Sequence, residues 1–334
     1  MWFVLSLVAL LCWSGSDLFS KIGSKPDDKY SQWKMVVAVG LVMGIHAAFE
    51  IFVNGVQINW AAILTYLPAS ALYISSMILG YIALRYIELS VSSPVCNSSG
   101  AIASLFMIIF FFKMSGIETQ GQLVGTIFGI VACGIGVVGL GFAEMGEDEE
   151  VKLKRQEKAN VKYSKSWIAI VLPILYCFID AAGTVADTFI LQVFEENVVA
   201  DGLVNAGAFA TNEEFKEAVA ELAGKMANVA YELTFLACGG IAAIYVFAIK
   251  RDKPTVKREF PKVVGAVCET AGQFAYIMAL SKNSVAAAPI ICCYCALSVV
   301  WGAIFLKERL SWKHYIAIAI TIAGIVLLGV FGGD

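Results

Sequence analysis

Stretches of about twenty apolar residues recur from one end of this chain to the other, and a helix of that length crosses the roughly 30 Å hydrocarbon core of a bilayer. Ten spans are expected: Trp2–Ser20, Trp33–Val53, Trp60–Leu84, Val91–Phe112, Leu123–Phe142, Trp167–Leu191, Val229–Ile249, Val263–Ser281, Ala286–Leu306 and Trp312–Phe331. A soluble core could not absorb so many. Only 15% of the 334 residues are charged, where a soluble domain carries about a quarter. Hydrophobic residues make up 59%, and the mean hydropathy is +0.76. The runs are continuous rather than alternating, which excludes membrane strands. Trp2, Trp33, Trp60, Trp167 and Trp312 open spans, as an aromatic belt requires. No basic residue precedes the first run, so it reads as a retained helix and not a cleaved leader.

The chain also repeats itself. Tyr81 to Gly141 and Tyr276 to Gly329 share one pattern: an apolar helix, a polar break, a small-residue helix with a proline near its start (Pro94, Pro289), and a Gly-spaced apolar helix. The first span of each half echoes the other, with Trp2 and Cys12 matching Trp167 and Cys177. The expected fold is an all-α polytopic membrane protein of ten transmembrane helices in two five-helix repeats. Five is odd, so the second repeat is inverted about an axis in the membrane plane. Inverted repeats are a signature of secondary transporters, whose site forms where the halves meet. The expected division is 1–142 for the first repeat, 143–166 for a charged linker, and 167–334 for the second repeat. The second repeat carries an acidic insertion at 192–228, read as an exposed outer loop or, alternatively, a lid or docking element. Within it, Thr211 and Glu214 spell a capping box for a helix running into span 7.

Charge sets the orientation. Twenty of the 24 Lys and Arg fall on the side reached after the odd-numbered spans. The positive-inside rule makes that side cytoplasmic and both termini extracytoplasmic, in the plasma (inner) membrane. A net charge of −3, with no basic block interleaved with aromatics, sets nucleic acid aside. The nine cysteines all lie in spans, so no disulfide framework is implied. The Cys292-Cys293-Tyr294-Cys295 cluster fits no zinc spacing and reads as buried small residues. No metal and no cofactor are expected.

In its motifs the chain resembles the drug/metabolite transporter superfamily, specifically the ten-helix EamA-like branch. Trp13-Ser14-Gly15 is similar to that family's Trp-Gly opening, and Pro94 and Pro289 match its fourth-helix proline. Lys307-Glu308-Arg309-Leu310-Ser311 is similar to its Gly-Glu-Arg-Leu-Ser signature. The first repeat departs from the pattern by placing Lys113 where Glu308 stands in the second. The resemblance implies a non-enzymatic carrier of a small polar metabolite.

An ionisable side chain at mid-bilayer costs about 2.5–3.5 kcal/mol on insertion scales, so it normally faces a cavity or a partner. Here such residues are mostly acidic. Asp180, Thr184 and Asp187 share one face of span 6, and Glu269, Gln273 and Tyr276 share one face of span 8. Asp17 lies in span 1, where it pairs with Lys21 or faces the cavity. Asp187 lies close to the outer end of span 6, where solvent is its simplest partner. An excess of buried acid calls for a mobile partner, either a coupling proton or cation or a cationic substrate such as an amine, a quaternary ammonium compound or an amino acid. Trp13, Tyr81, Tyr294 and Trp301 offer ring faces to such a head group, and Asn97 offers cavity-lining polarity. The expected binding set is therefore Glu269, Asp180, Asp17, Gln273, Tyr276, Trp13, Tyr81, Tyr294, Trp301 and Asn97. His46 and Glu50, four apart in span 2, are gating or coupling candidates together with Glu308, Pro94 and Pro289. Gly121, Gly125 and Gly129 mark close helix packing, within the chain or at a homodimer face. A membrane enzyme is disfavoured by the lack of His-Glu-x-x-His and Gly-x-Ser-x-Gly motifs. The rival reading is a non-transporting scaffold that docks partners through 192–228.

Overall fold

The computed structural model describes residues 1–24, 28–86, 98–114, 117–145, 168–305 and 310–332. These residues form helices and no strand. In chain order they are α1 (Trp2–Gly23), α2 (Ser31–Phe52), α3 (Trp60–Tyr86), α4 (Ser99–Phe110) and α5 (Gln120–Met145). Then follow α6 (Ile168–Ala200), α7 (Asn212–Ala243, extended by a π-helical turn to Ile249), α8 (Val256–Cys292), α9 (Tyr294–Phe305) and α10 (Trp312–Phe331). Eight helical runs among the described residues are long and apolar enough to cross a membrane. Two of the ten expected spans are not among these eight as separate runs. The fourth span is represented by the 12-residue α4, with residues 87–97 outside the described set. The eighth and ninth spans share one run, Val256–Phe305.

That run doubles back. Fifty residues of helix measure about 75 Å, more than twice the hydrocarbon thickness. Asn283 alone leaves helical geometry, at φ −159° and ψ 89°. Its side-chain oxygen accepts from the Ala286 amide at 3.1 Å, the bond of an N-cap, so the helix restarts there. Its amide nitrogen donates to the Gly332 carbonyl at 2.6 Å, beyond the end of α10. Lys262 packs on Gly23 at the end of α1, whereas Ser298 has returned to Asp17.

Four pairings dominate the packing: α1 on α8, α2 on α7, α3 on α6, and α5 on α10. At the α2–α7 crossing the backbones touch. A Cβ on Gly40 would stand 2.8 Å from the Phe235 carbonyl oxygen and 3.0 Å from the Gly239 Cα. Gly125 and Gly129 serve α10, against Phe331 and Leu328, so two of the three glycines of that stripe are used within the chain. The insertion expected as a loop is instead a helical hairpin. α6 and α7 extend beyond the apolar spans, where Phe194, Val198, Val219 and Ala223 are buried and Phe194 meets Tyr66 of α3 edge-on at 6.0 Å. The capping box is present, with Glu214 N donating to Thr211 Oγ1 and Thr211 N to Glu214 Oε2, both at 3.2 Å.

At the end opposite the hairpin lies an ion network. Asp28 accepts from Lys34 at 2.9 Å and Lys262 at 3.0 Å. Asp252 pairs with Lys34 and Arg258, and Glu259 pairs with Lys262 at 3.0 Å. Asp28, Lys34 and Lys262 are almost fully buried. Burial pushes the Asp28 carboxyl up, but its hydrogen bonds from Lys34 and Lys262 outweigh this and hold it below the usual carboxylate range.

Candidate functional site

Acidic side chains from three helices converge in the bundle. On α6, Asp180 accepts from Ser99 of α4 at 2.7 Å and from Ser76 of α3 at 3.1 Å. Seven residues on, Asp187 accepts from Tyr66 at 2.6 Å and Tyr73 at 3.4 Å, both on α3. Asp187 is completely buried, so the expected contact with solvent is corrected. Two extra turns of α6 and the hairpin close over it. On α8, Glu269 stands beside Ser16 and Asp17 of α1 and lies within the field of Asp180. Asp17 accepts from Ser298 of α9 at 3.1 Å, with Lys21 one turn along its own helix. Asp17, Asp180 and Glu269 are half-buried. Among the described residues no Lys, Arg or His forms an ion pair with Asp180, Asp187 or Glu269.

Aromatic rings stand against this acidic group. Trp13 lies over Tyr276 with ring centroids 5.0 Å apart, and Tyr294 meets Trp13 edge-on at 5.8 Å. Tyr276 shares its hydroxyl with Tyr73 at 2.6 Å and Thr184 at 3.2 Å. Gly272 admits the Trp13 ring, since a Cβ there would collide with the indole. Several polar atoms remain buried without a protein partner: Trp13 Nε1, Tyr81 Oη and Gln273 Nε2. Trp301 donates from Nε1 to Ser14 Oγ at 3.0 Å, which ties α9 to α1. Pro289 is buried within α8, where its carbonyl receives the Cys293 thiol at 3.1 Å. The four-residue cysteine segment is a helix junction packed on α4, where a Cβ on Gly100 would stand 2.6 Å from Cys292 Sγ. Asn97, Pro94 and Glu308 lie outside the described residues.

A second polar group sits between α2 and α7. His46 Nδ1 is 2.8 Å from Glu232 Oε1, and its Nε2 is 3.7 Å from Glu50 Oε1. The local pair of His46 and Glu50 read from the sequence is therefore half of a larger arrangement. Glu232, fully buried, is the member the sequence reading missed. It lies inside the expected seventh span, where its partner His46 is distant in sequence.

Taken together, the helices and their buried acids describe an all-α, multi-pass membrane protein. A model of the EamA-like transporter family matches residues 222–330, from α7 to α10. Over those residues the match bears out the resemblance to the drug/metabolite transporter superfamily. No curated protein matches the chain. A crystal structure described only as that of a protein shares the fold, with a TM-score of 0.65 at 11% identity over 98% of this chain and 96% of the other.

Proposed function

We propose that this protein is a secondary active transporter that carries a small cationic metabolite, an amine or quaternary ammonium compound, by alternating access. The observation that carries this reading is the meeting of Asp17, Asp180 and Glu269 beside the rings of Trp13, Tyr276 and Tyr294, with no basic side chain paired to Asp180 or Glu269 among the described residues. Buried anionic charge without a countercharge is costly. A ligand that brings the countercharge gains both that relief and attraction to the ring faces, worth about 0.5–2 kcal/mol.

The helix pairings support two inverted halves. A twofold axis relating spans 1–5 to spans 6–10 exchanges the α1–α8 contact with the α6–α3 contact, and maps α2–α7 and α5–α10 onto themselves. These are the four dominant pairings. In this reading the ion network around Asp28 is the closed gate of one face. The charge bias makes that face cytoplasmic.

A thermal-shift screen of amines, quaternary ammonium compounds, amino acids and sugars on detergent-purified protein tests the proposal. A ligand at about 100 times its Kd adds roughly 2.7 kcal/mol of stability. Stabilisation by ammonium compounds is expected; stabilisation by sugars alone would overturn the reading.

A further inference from the structure

We infer that His46, Glu50, Glu232 and Asn228 form a proton-binding site that couples transport to a pH gradient, separate from the site that takes the substrate. The inference rests on the transporter reading above. Two i,i+4 pairs face each other across the close α2–α7 crossing: His46 and Glu50 on α2, Asn228 and Glu232 on α7. Both carboxylates and the amide are buried. Glu50 Oε2 has no hydrogen-bond partner, and Glu232 Oε2 stands beside the Asn228 amide. A purely structural polar clamp would satisfy the Glu50 oxygen, because a buried orphan is costly. Carboxylate oxygens on both sides of the imidazole leave acceptors for an added proton.

The imidazole shows where one goes. With its proton on Nδ1, the neutral ring donates to Glu232 and turns the Nε2 lone pair towards Glu50 Oε1 at 3.7 Å. A proton added at Nε2 converts that repulsive contact into an ion pair and clamps the ring between two carboxylates. His46 is also the most open member, with 28% of its side chain exposed. It lies six residues from the end of α2, about 9 Å along the helix. The charges acting on the ring are Glu232 of α7 and Glu50 of its own helix. α8 contributes the Phe274 ring, 5.4 Å away, and α3 contributes no titratable neighbour to it among the described residues. The fit is to a proton and not a metal: no group of three or more His, Cys, Asp or Glu among the described residues could hold one.

The site lies between helices of opposite halves, so its affinity depends on their separation. A proton that binds best when α2 and α7 are closed favours that state, and by linkage the state that opens releases the proton. The connection to the substrate site is short. Tyr231, next to Glu232, packs on Tyr73 at 6.3 Å, and Tyr73 bonds both Tyr276 and Asp187.

The chain has two histidines, so labelled-histidine NMR in nanodiscs reads the site directly. The resonance lost in H46Q is expected to titrate between about pH 5 and 9, with a transition that E232Q displaces by roughly one pH unit. A ring that keeps one protonation state throughout, or ignores E232Q, overturns the inference. In proteoliposomes with choline as the probe, H46Q and E232Q should abolish accumulation driven by a pH gradient while keeping choline exchange. Accumulation at the unaltered level in both variants overturns the coupling role, as does equal loss of accumulation and exchange. If the natural protein moves no choline, the quaternary ammonium reading fails, and the NMR titration still decides the proton site.

Discussion

The phenol oxygens of Tyr73 and Tyr276 stand 2.6 Å apart, one on α3 and the other on α8, and this hydrogen bond joins the two halves beside the buried Asp187. Tyr276 also meets Thr184, so a single hydroxyl holds three helices in register. Tyr276→Phe removes both bonds and leaves the ring stack on Trp13 in place. The expected loss is about 1 kcal/mol of stability, together with a weaker thermal shift by the ligand found in the screen. Unchanged ligand response would remove Tyr276 from the substrate pocket.

Glu269→Gln should abolish the ligand-induced shift without harming the fold. The amide keeps the volume and a hydrogen-bonding oxygen, and it relieves repulsion from Asp17 and Asp180. The melting temperature without ligand should therefore hold or rise. Asp180→Asn should behave alike: Ser76 and Ser99 donate to different carboxylate oxygens, so the amide oxygen keeps one of these bonds and the other serine hydroxyl can turn to accept from the amide nitrogen. Normal transport by both variants would sink the carboxylate assignment.

The network around Asp28 predicts a dependence on acid. Its carboxyl is held below its unfolded value, so the stabilisation is complete above that value, about pH 4, and is lost as pH falls through the lower folded one. Melting temperature measured down through pH 3 should show this loss, and Asp28→Asn should flatten it. At neutral pH the same substitution is expected to cost about 3 kcal/mol, near the low end for breaking a buried pair, because Asp252 and Glu259 still serve Lys34 and Lys262.

Gly40→Val tests the α2–α7 crossing. Its side chain would meet the Phe235 carbonyl and the Gly239 backbone, neither of which can rotate away. Overpacking of this kind costs about 1–3 kcal/mol. It should also disturb His46, which lies less than two turns away on the same helix. A neutral effect on melting would mean that the helices do not cross here.

Asn283→Ala should cost about 1 kcal/mol, as for other caps. It removes the bond from the Ala286 amide and the donor to Gly332 together. Asn283→Asp keeps the first of these and should recover part of the loss.

Long apolar runs were legible because they need only composition and length. The polar break at Ser281–Ser284 was also legible, and Asn283 is where the helix turns back. Trp13, Tyr276, Asp180 and Glu269 could be nominated because polar or aromatic residues recurred at helical spacing. Glu232 also lies inside an expected span and could have been nominated by the same rule, but its pairing with His46, 186 residues away, was not legible. Asp187 was misjudged for a related reason. Its depth depends on α6 continuing to Ala200, and the end of an apolar run does not mark the end of a helix.

The ion network opposite the hairpin has a further property. From the first half it takes Asp28 and Lys34, and from the second Asp252, Arg258, Glu259 and Lys262. Each contribution sums to zero. Prising the two apart would strand no monopole on either side, and the membrane voltage would do no net work on that displacement. Any electrogenic signature of the cycle would then have to arise from what the protein carries, and not from the parting of this network.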